Sequence, residues 1–326
     1  MTMPYFVGLD VGGTTIRAAA VDDAGQLLCR PVARPTESSR GQDHGLQTML
    51  TVIREAIAAA GLSQRCIAAI GAAAPGPLDL AAGVMLDPPN LKPWRDVPVR
   101  EFLEKQLELP IAFQNDANAA ALGECWIGAG RHCHSLVMFT LGTGVGGGIV
   151  IDGQIVNGEQ SHGGELGHVK IERTSGRLCG CGQRGCLEAY AAAPAIVARM
   201  REALAASASS DLSAQIDFSA HDVFLAAAGG DGLAQSIVDE TADILGFAAA
   251  NIMHVIDPNM IVFAGGVAGA GPAFLERIRT AAKAQAFRTP AERCEIRYSQ
   301  LGEHTGVIGA AACARSLARR RQGAAR

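Results

Sequence analysis

The chain has 326 residues, about half of them apolar, and a formal net charge of −4 at pH 7. This length allows two domains of ordinary size, and the slightly acidic balance excludes the basic stripe of a nucleic-acid binder. The arginines near the C-terminal end, from Arg315 onward, are typical of a solvated helix end. The start MTMPYFVGLD has no secretory leader pattern, and no apolar run reaches the ~18 residues of a membrane span. We therefore expect a cytoplasmic protein that binds neither nucleic acid nor membrane.

The first part of the chain predicts strands around one helix. FVGLDVGG (residues 6–13) predicts a buried strand that runs into a glycine turn, and IRAAAVD and QLLCRPV predict two more strands of a meander. Residues 44–60 follow a helical pattern, and CIAAIGAA (residues 66–73) predicts a short buried strand. VREFLEKQLEL then predicts an amphipathic helix, IAFQ a short strand, and NDANAAALGECW the start of a helix.

The second part repeats the style of the first. SLVMFTLGTGVGGGIVIDGQIV predicts a strand, a glycine–threonine turn, a second strand, another turn and a third strand, which indicates a weak internal duplication. Helices are predicted from residue 188 to about 206 and onward to about 256, followed by the strand and glycine turn of DPNMIVFAGGVAG. A helix, the strand CEIRYS and a last helix from about residue 305 complete the pattern. No separate linker is present, so we expect the chain to cross between two lobes more than once.

Two glycine–threonine turns each follow a predicted strand. Their residues are Gly12, Gly13, Thr14 and Thr15 in the first turn and Gly142, Thr143 and Gly144 in the second. Glycine lets backbone N–H groups approach an anion, and threonine hydroxyls add donors, so the two turns together suit a polyphosphate. Either turn alone also fits a tight β-hairpin. No lysine follows either turn, which excludes a P-loop, and continuation as a strand excludes the dinucleotide fingerprint.

Asp10 lies just before the first turn, where it can help hold Mg²⁺ through water. A site for ATP needs such a metal to neutralise the phosphates.

Asn115 and Asp116 lie where a predicted strand ends and a helix begins. Either residue suits a helix N-cap. The functional interpretation is that Asp116 is the general base that phosphoryl transfer to an alcohol requires.

The segment HGGELGHVKIERTSGRLCGCGQRGCLE is unlike a regular helix or strand because it places thiols and imidazoles between glycines. His168, Cys179, Cys181 and Cys186 supply one nitrogen and three sulfurs, the set of a closed structural zinc site. With four protein ligands no position stays open for a catalytic water. We therefore expect the zinc to shape a neighbouring site.

Acidic residues flank this cluster. Glu165 lies three residues before His168, and Glu188 lies two residues after Cys186. A rigid metal loop would hold both carboxylates where they can accept hydrogen bonds from hydroxyl groups. His168, bound through one nitrogen, would have its other N–H oriented to donate. Asn90 could add amide contacts, and the set together predicts a polyol site.

Seven segments together match one known family. They are LDVGGTTIR, PNLKPW, NDANAAALGE, LGTGVGGGIV, GGELGH, CGCGQRGCLE and IVFAGGVA. In this order they resemble the motifs of the ROK family (repressors, open reading frames and kinases), and the resemblance runs from about Tyr5 to the last helix. CGCGQRGCLE with ELGH upstream is highly specific, whereas the glycine turns alone are not.

The resemblance implies an α/β fold of the actin-like ATPase type, which is hexokinase-type and ribonuclease H-like, with ATP and sugar in a cleft between two lobes. We expect residues 1–114 and about 305–326 to form the small lobe, and residues 115–304 the large lobe that carries the zinc loop. Members of the family are often homodimers and some are tetramers.

Carried over by position, the resemblance implies a role for each matching residue. Asp116 is similar to the catalytic base. The residues that resemble the sugar contacts are Asn90, Asn115, Glu165, His168 and Glu188. The residues that resemble the phosphate contacts are Gly12, Gly13, Thr14, Thr15, Thr143 and Gly144. Gly265 and Gly266 resemble the adenosine turn, and His168, Cys179, Cys181 and Cys186 the zinc ligands.

The implied activity is phosphorylation of a hexose at its 6-hydroxyl, with ATP, Mg²⁺ and a structural Zn²⁺. GGELGH and LGTGVGGG are similar to the segments of bacterial glucokinases, so glucose is the expected sugar. N-acetylglucosamine, N-acetylmannosamine, fructose and allose kinases of the same family are alternatives, as is a sugar sensor without catalysis. The chain begins in the predicted ATPase strand, without the winged helix-turn-helix of the family's repressors, which favours a kinase.

Overall fold

A computed structural model describes residues 4–206, 209–213, 215 and 217–324 of the chain. The strands are β1 (Tyr5–Val11), β2 (Thr15–Val21), β3 (Val32–Pro35), β4 (Ile67–Ala74), β5 (Leu78–Asp79), β6 (Val84–Met85), β7 (Ile111–Asn115), β8 (Ser135–Leu141), β9 (Val145–Ile151), β10 (Gln154–Ile155), β11 (Met260–Ala264) and β12 (Glu295–Tyr298). The α-helices are α1 (Gln42–Ala59), α2 (Val99–Leu107), α3 (Asp116–Ile127), α4 (Glu188–Ala191), α5 (Ala193–Ala205), α6 (Ala220–Ala228), α7 (Gly232–Val255), α8 (Pro272–Gln285), α9 (Arg288–Arg293) and α10 (Thr305–Ala324).

The chain forms two compact units. Unit 1 contains Met1–His132, Asp152–Gly163 and Gln300–Arg326, and unit 2 contains Cys133–Ile151 and Gly164–Ser299. The chain passes between the units several times, as the absence of a linker predicted. Unit 1 continues to His132, past the lobe boundary predicted after residue 114.

Unit 1 is built on a sheet with the strand order β3-β2-β1-β4-β7. The first three strands are antiparallel neighbours, whereas β4 runs parallel to both β1 and β7. Residues of both faces of β1 are buried, because helices cover the sheet on each side. One face packs on α1 and α2, and the other packs on α10.

Two glycines in the sheet explain how closely α10 packs. A methyl group on Gly8 would overlap the backbone oxygen of Val307, and one on Gly71 would overlap that of Ala310. The facing helix sequence GVIGAAACA consists of small residues apart from Val307 and Ile308. The backbone of α10 therefore rests directly on the sheet and contacts β1 and β7, the strands that carry Asp10 and Asn115.

In unit 2 the strands β9-β8-β11-β12 follow one another in a sheet. Strand β8 is antiparallel to β9 and parallel to β11, and β11 is parallel to β12. This is the same arrangement as β2-β1-β4-β7 in unit 1, which agrees with the internal duplication seen in the sequence. Phe139 and Phe263 stack between adjacent strands with ring centroids 5.2 Å apart.

Two elements differ from the sequence-based expectation. The strand predicted over QLLCRPV is reduced to a single bridge between Leu27 and Val21, and β3 begins only at Val32. Pro31 lacks the N–H that a strand partner would need. The helix predicted from residue 188 to about 206 is divided into α4 and α5 at Ala192, because Pro194 cannot continue a helix from the preceding turn.

Among the helices of the described residues, none combines the length and apolar character needed to cross a bilayer.

Candidate active site

The first glycine–threonine turn connects β1 and β2 in unit 1. The N–H of Gly12 donates to the carbonyl of Thr15 at 3.0 Å, which closes the turn. Gly13 and Thr14 are exposed at its tip. Buried Thr36 holds the turn from outside, since its hydroxyl donates to Gly12 O at 2.8 Å and its N–H donates to Thr14 O at 2.9 Å. The turn is therefore fixed while its tip faces solvent.

Asp10 lies at the end of β1, next to Arg17 across the strand pair. Its carboxylate packs against the first turn of α10, where a methyl group on Gly306 would overlap it. Burial raises the pKa of the Asp10 carboxyl, and the charge of Arg17 opposes the shift. A partly buried carboxylate of this kind gains stability when a cation binds beside it.

Asn115 and Asp116 occupy the two positions at which β7 ends and α3 begins. The Asn115 side chain is the N-cap, and its Oδ1 accepts the N–H groups of Ala117 at 3.0 Å and Asn118 at 3.2 Å. The amide nitrogen of Asn115 takes no part in this cap. Asp116 is the first helical residue and is exposed, with Oδ1 accepting the N–H of Ala117 at 2.8 Å. The cap therefore belongs to Asn115, and the neighbouring carboxylate is presented at the helix N-terminus.

Asn90 is exposed in the short 3₁₀-helix Pro89–Leu91. A methyl group on Gly13 would lie 3.3 Å from the Asn90 carbonyl oxygen. Unit 1 thus brings the predicted sugar contact Asn90 next to the predicted phosphate turn. Asn90 and Gly13 are far apart in the sequence, so no local pattern indicates that they are neighbours.

The second glycine–threonine turn, in unit 2, connects β8 and β9. The N–H of Gly142 donates to Gly144 O, and the Gly142 carbonyl accepts the N–H of Ala193 at the start of α5, both at 2.9 Å. Thr143 is exposed at the tip. Gly265 has φ of 93°, and a methyl group on it would overlap the carbonyl of Leu141. The predicted adenosine turn at Gly265 and Gly266 therefore adjoins the predicted phosphate turn.

The carboxylate of Glu188 lies between this turn and the cysteine cluster. Its Oε2 accepts the N–H of Val145 at 3.1 Å, and a methyl group on Gly144 would lie 2.6 Å from the same oxygen. Its Oε1 accepts the thiol of Cys179 at 3.3 Å. Glu188 is the first residue of the short helix α4.

The four residues predicted to bind zinc come together in unit 2. One donor atom from each of His168, Cys179, Cys181 and Cys186 lies within 4.8 Å of all the others. The sulfurs of Cys181 and Cys186 are 3.8 Å apart, as are Cys179 Sγ and His168 Nδ1. Zn–S bonds of about 2.3 Å in a tetrahedron give a sulfur–sulfur edge of about 3.8 Å. The donor set and its dimensions both fit zinc.

The loop that carries these cysteines depends on glycine. Gly182 and Gly185 have φ of 85° and 78°, a region that other residues rarely adopt. They allow the Cys179 N–H to reach Gln183 O at 2.8 Å and the Gly185 N–H to reach Arg177 O at 2.9 Å. Burial raises the pKa of the Cys179 thiol to about 12. A bound zinc ion would offset this shift, because it stabilises the thiolate directly.

Glu165 precedes the 3₁₀-helix Leu166–His168 and is exposed. This short helix packs on β9, since a methyl group on Gly147 would overlap Leu166 and one on Gly167 would overlap the Val145 carbonyl. Val145 therefore contacts the 3₁₀-helix through its carbonyl and Glu188 through its N–H. Unit 2 places Glu165, His168 and Glu188 on segments that are fixed to the same strand.

The sequence did not indicate two residues that support unit 1. Thr36 holds the first turn from 24 residues away. Gln114 is buried, accepts the N–H of Asn115 at 2.8 Å and donates to Asn157 Oδ1 at 2.8 Å. Only its position directly before Asn115 could have drawn attention to it.

Comparisons with known proteins identify the family. The model of the ROK family matches residues 6–316. The chain is 37% identical over 313 residues to a glucokinase of Halalkalibacterium halodurans, an alignment that covers 95% of this chain and 94% of that protein. Among solved structures, the ROK hexokinase from Thermus thermophilus superposes with a TM-score of 0.85 at 34% identity, covering 97% of this chain and 99% of the other.

A ROK family glucokinase from Streptomyces griseus, solved in complex with glucose and AMPPNP, superposes with a TM-score of 0.76 at 31% identity and covers 96% of this chain and 99% of its own. These likenesses confirm the expected actin-like ATPase fold. Because the family model spans nearly the whole sequence, the chain belongs to the ROK family.

Proposed function

We propose that this chain is an ATP-dependent hexose kinase that transfers the γ-phosphoryl group to the 6-hydroxyl of glucose. The glucokinase and hexokinase relatives, matched over nearly their full lengths, support this assignment. The observation that carries it is the exposed Asp116 carboxylate at the first position of α3, in a chain that also has a glycine–threonine turn in each unit.

In this proposal Asp116 accepts the proton of the sugar hydroxyl as its oxygen attacks the γ-phosphorus. Transfer to an alcohol demands little covalent chemistry from the protein, so a positioned base and stabilisation of the phosphate charge supply the catalysis. The Ala117 N–H bond to Oδ1 and the Asn115 cap fix the carboxylate. A base held in this way loses less orientational freedom when the sugar binds than an unrestrained side chain would.

The two turns would bind the phosphates through backbone N–H groups and through the hydroxyls of Thr14, Thr15 and Thr143. Both turns are held by hydrogen bonds that leave their tips exposed. Mg²⁺ would neutralise the phosphate charge, and Asp10 is the carboxylate whose burial and position fit it. Gly265 and Gly266 would contact the adenosine.

The sugar hydroxyls would be recognised by Glu165, His168 and Glu188 from unit 2 and by Asn90 and Asn115 from unit 1. Each carboxylate has two oxygens with about four acceptor sites in all, which suits neighbouring hydroxyl groups. A zinc ion held by His168 and the three cysteines would make this loop rigid without taking part in the chemistry. Through His168 and Glu188, the metal would fix the orientation of the groups that select the sugar.

The test is an assay of ADP release with ATP, Mg²⁺ and a panel of sugars, namely glucose, mannose, fructose, allose, N-acetylglucosamine and N-acetylmannosamine. We expect the highest kcat/KM with glucose, and its loss in Asp116→Asn. Higher kcat/KM with an N-acetyl sugar, fructose or allose would keep the mechanism and overturn glucose as the substrate. Sugar binding without turnover across the panel would overturn the kinase in favour of a sensor. The homodimer and the cytoplasmic location expected from the sequence stay predictions.

A further inference from the structure

A pocket of about 470 Å³ lies within unit 1, apart from the residues assigned above to catalysis, sugar and zinc. Its walls come from α2, strand β7, residues 154–157 and one face of α10. Strand β7 is the last strand of its sheet, so one of its edges is not used for pairing. The volume is within the range of small-molecule sites.

The charged groups of the pocket are mainly positive. Arg100, Arg320 and Arg321 line it, whereas Glu104 is its single acid. Arg320 donates to Ser316 Oγ at 2.9 Å, and no salt bridge within the described part of the chain involves Arg320 or Arg321. Arg320 lies one turn beyond Ser316 on α10, and Arg321 is the next residue; both side chains line the pocket. The pocket therefore favours an anion.

The third arginine is fixed in place. Arg100 donates to the carbonyls of Leu80 at 2.6 Å and Ala81 at 2.9 Å, so its guanidinium is held at the wall by backbone groups. A guanidinium fixed in this way keeps its positive charge without an acidic partner. Arginine matches a phosphate better than lysine because its planar donors form paired hydrogen bonds.

The rest of the lining is mostly apolar, with four neutral polar residues, Gln114, Gln154, Asn157 and Ser316. Gln114 and Ser316 are already hydrogen-bonded within the protein, so the amides of Gln154 and Asn157 are the groups that suit hydroxyl groups of a ligand. A single inorganic phosphate would fill only part of such a volume. We propose that this pocket binds a phosphate monoester of a small polyol, with the phosphate on Arg320 and Arg321 and the hydroxyls along the amide side.

The experiment is isothermal titration calorimetry of the full-length protein at fixed ionic strength with glycerol 3-phosphate, inorganic phosphate and glycerol as probes. We expect glycerol 3-phosphate to bind more tightly than inorganic phosphate, and glycerol not to bind. Arg320→Ala combined with Arg321→Ala should weaken glycerol 3-phosphate by about 10-fold or more, because charge-assisted hydrogen bonds are lost. This inference does not depend on the kinase activity.

The matched control is Arg288→Ala combined with Arg293→Ala, which removes the same charge from the exposed helix α9. An equal loss of affinity in the control would show a general charge effect and overturn the site. Unchanged affinity in the Arg320 and Arg321 variant would do the same. Equal affinity for inorganic phosphate and glycerol 3-phosphate would overturn the polyol ester as the ligand. All four substituted arginines are exposed on helix surfaces, so we expect the variants to fold. Circular dichroism verifies this.

Discussion

Glu188 accepts a hydrogen bond from the N–H of Val145, the residue that follows the second glycine–threonine turn, across a sequence separation of 43 residues. Because Glu188 also lies against the zinc-binding cluster, one carboxylate joins the predicted metal loop to the predicted phosphate turn. A residue assigned from the sequence to sugar binding therefore has a second task, which is to hold the turn.

Substitution of Glu188 should consequently affect both substrates. Glu188→Ala is expected to raise KM for glucose and for ATP by about 10-fold each. The substitution removes the carboxylate's hydrogen bond to the sugar and its hydrogen bond to the N–H of Val145, which follows the phosphate turn. Glu188→Gln keeps an acceptor for Val145 and should raise KM for glucose with little change for ATP. Steady-state kinetics with one substrate varied at a time measures both. An unchanged KM for ATP in the alanine variant would mean that this contact does not fix the turn.

Substitution of Asp116 should mainly lower turnover, whereas substitution of Asn115 should lower the free energy of unfolding. Asp116→Asn is expected to lower turnover by roughly 10²-fold or more, because the general base is lost, with little change in the free energy of unfolding. Asn115→Ala removes the α3 cap and should cost about 1 kcal/mol in the free energy of unfolding, measured with urea. Asn115→Asp, which retains a capping oxygen, is the control. Near-normal turnover in well-folded Asp116→Asn would contradict the assignment of the base.

Asp10 should make the fold less stable as the pH rises. Burial holds its folded-state pKa above the ordinary value of 3.8, so the protonated form favours folding. That contribution is fully present below the ordinary pKa and is lost as the pH rises through the folded-state pKa. Asp10→Asn stays neutral, so its melting temperature should exceed that of the parent at pH 7, by a margin that shrinks toward pH 4.

Thermal unfolding between pH 4 and pH 8 tests this expectation in the absence of ATP. Turnover of Asp10→Asn should fall by about 10-fold or more at the same time, since a metal contact is lost. Asp43→Asn removes an exposed carboxylate from the first turn of α1 and serves as the control. A margin that does not vary with pH would show that burial of Asp10 is not the cause.

The cysteine cluster should hold one zinc ion per chain. Elemental analysis of dialysed protein is expected to find a stoichiometry near one, and Cys181→Ser should lower it and raise KM for glucose through the loop that ends at Glu188. Cys66→Ser, an exposed cysteine in unit 1, should retain the metal. Full activity in protein that contains no zinc would contradict a structural metal.

Much of the candidate site was predictable because it depends on local pattern. The strand that carries Asp10, the helix that begins at Asp116 and the glycine-rich cysteine loop each follow from a few adjacent residues. Capping, left-handed glycine conformations and ligand spacing are properties of short segments: the structure caps α3 at Asn115, gives Gly182 and Gly185 positive φ, and brings together His168 and the three cysteines. Pro194 is also a local signal for the break between α4 and α5. The sequence-based prediction missed the break because the residues on both sides follow a helical pattern.

The sequence predicts which segments carry the chemistry, whereas the groups that support those segments are visible only in the folded chain. Thr36 contacts Gly12 across 24 positions, Gln114 contacts Asn157 across 43, and the arginine-lined pocket brings α2 next to α10. Such contacts depend on how strands pair and on how closely α10 approaches the sheet. Since side-chain pairing across an interior is set by backbone geometry and packing, no linear pattern of residue types encodes it.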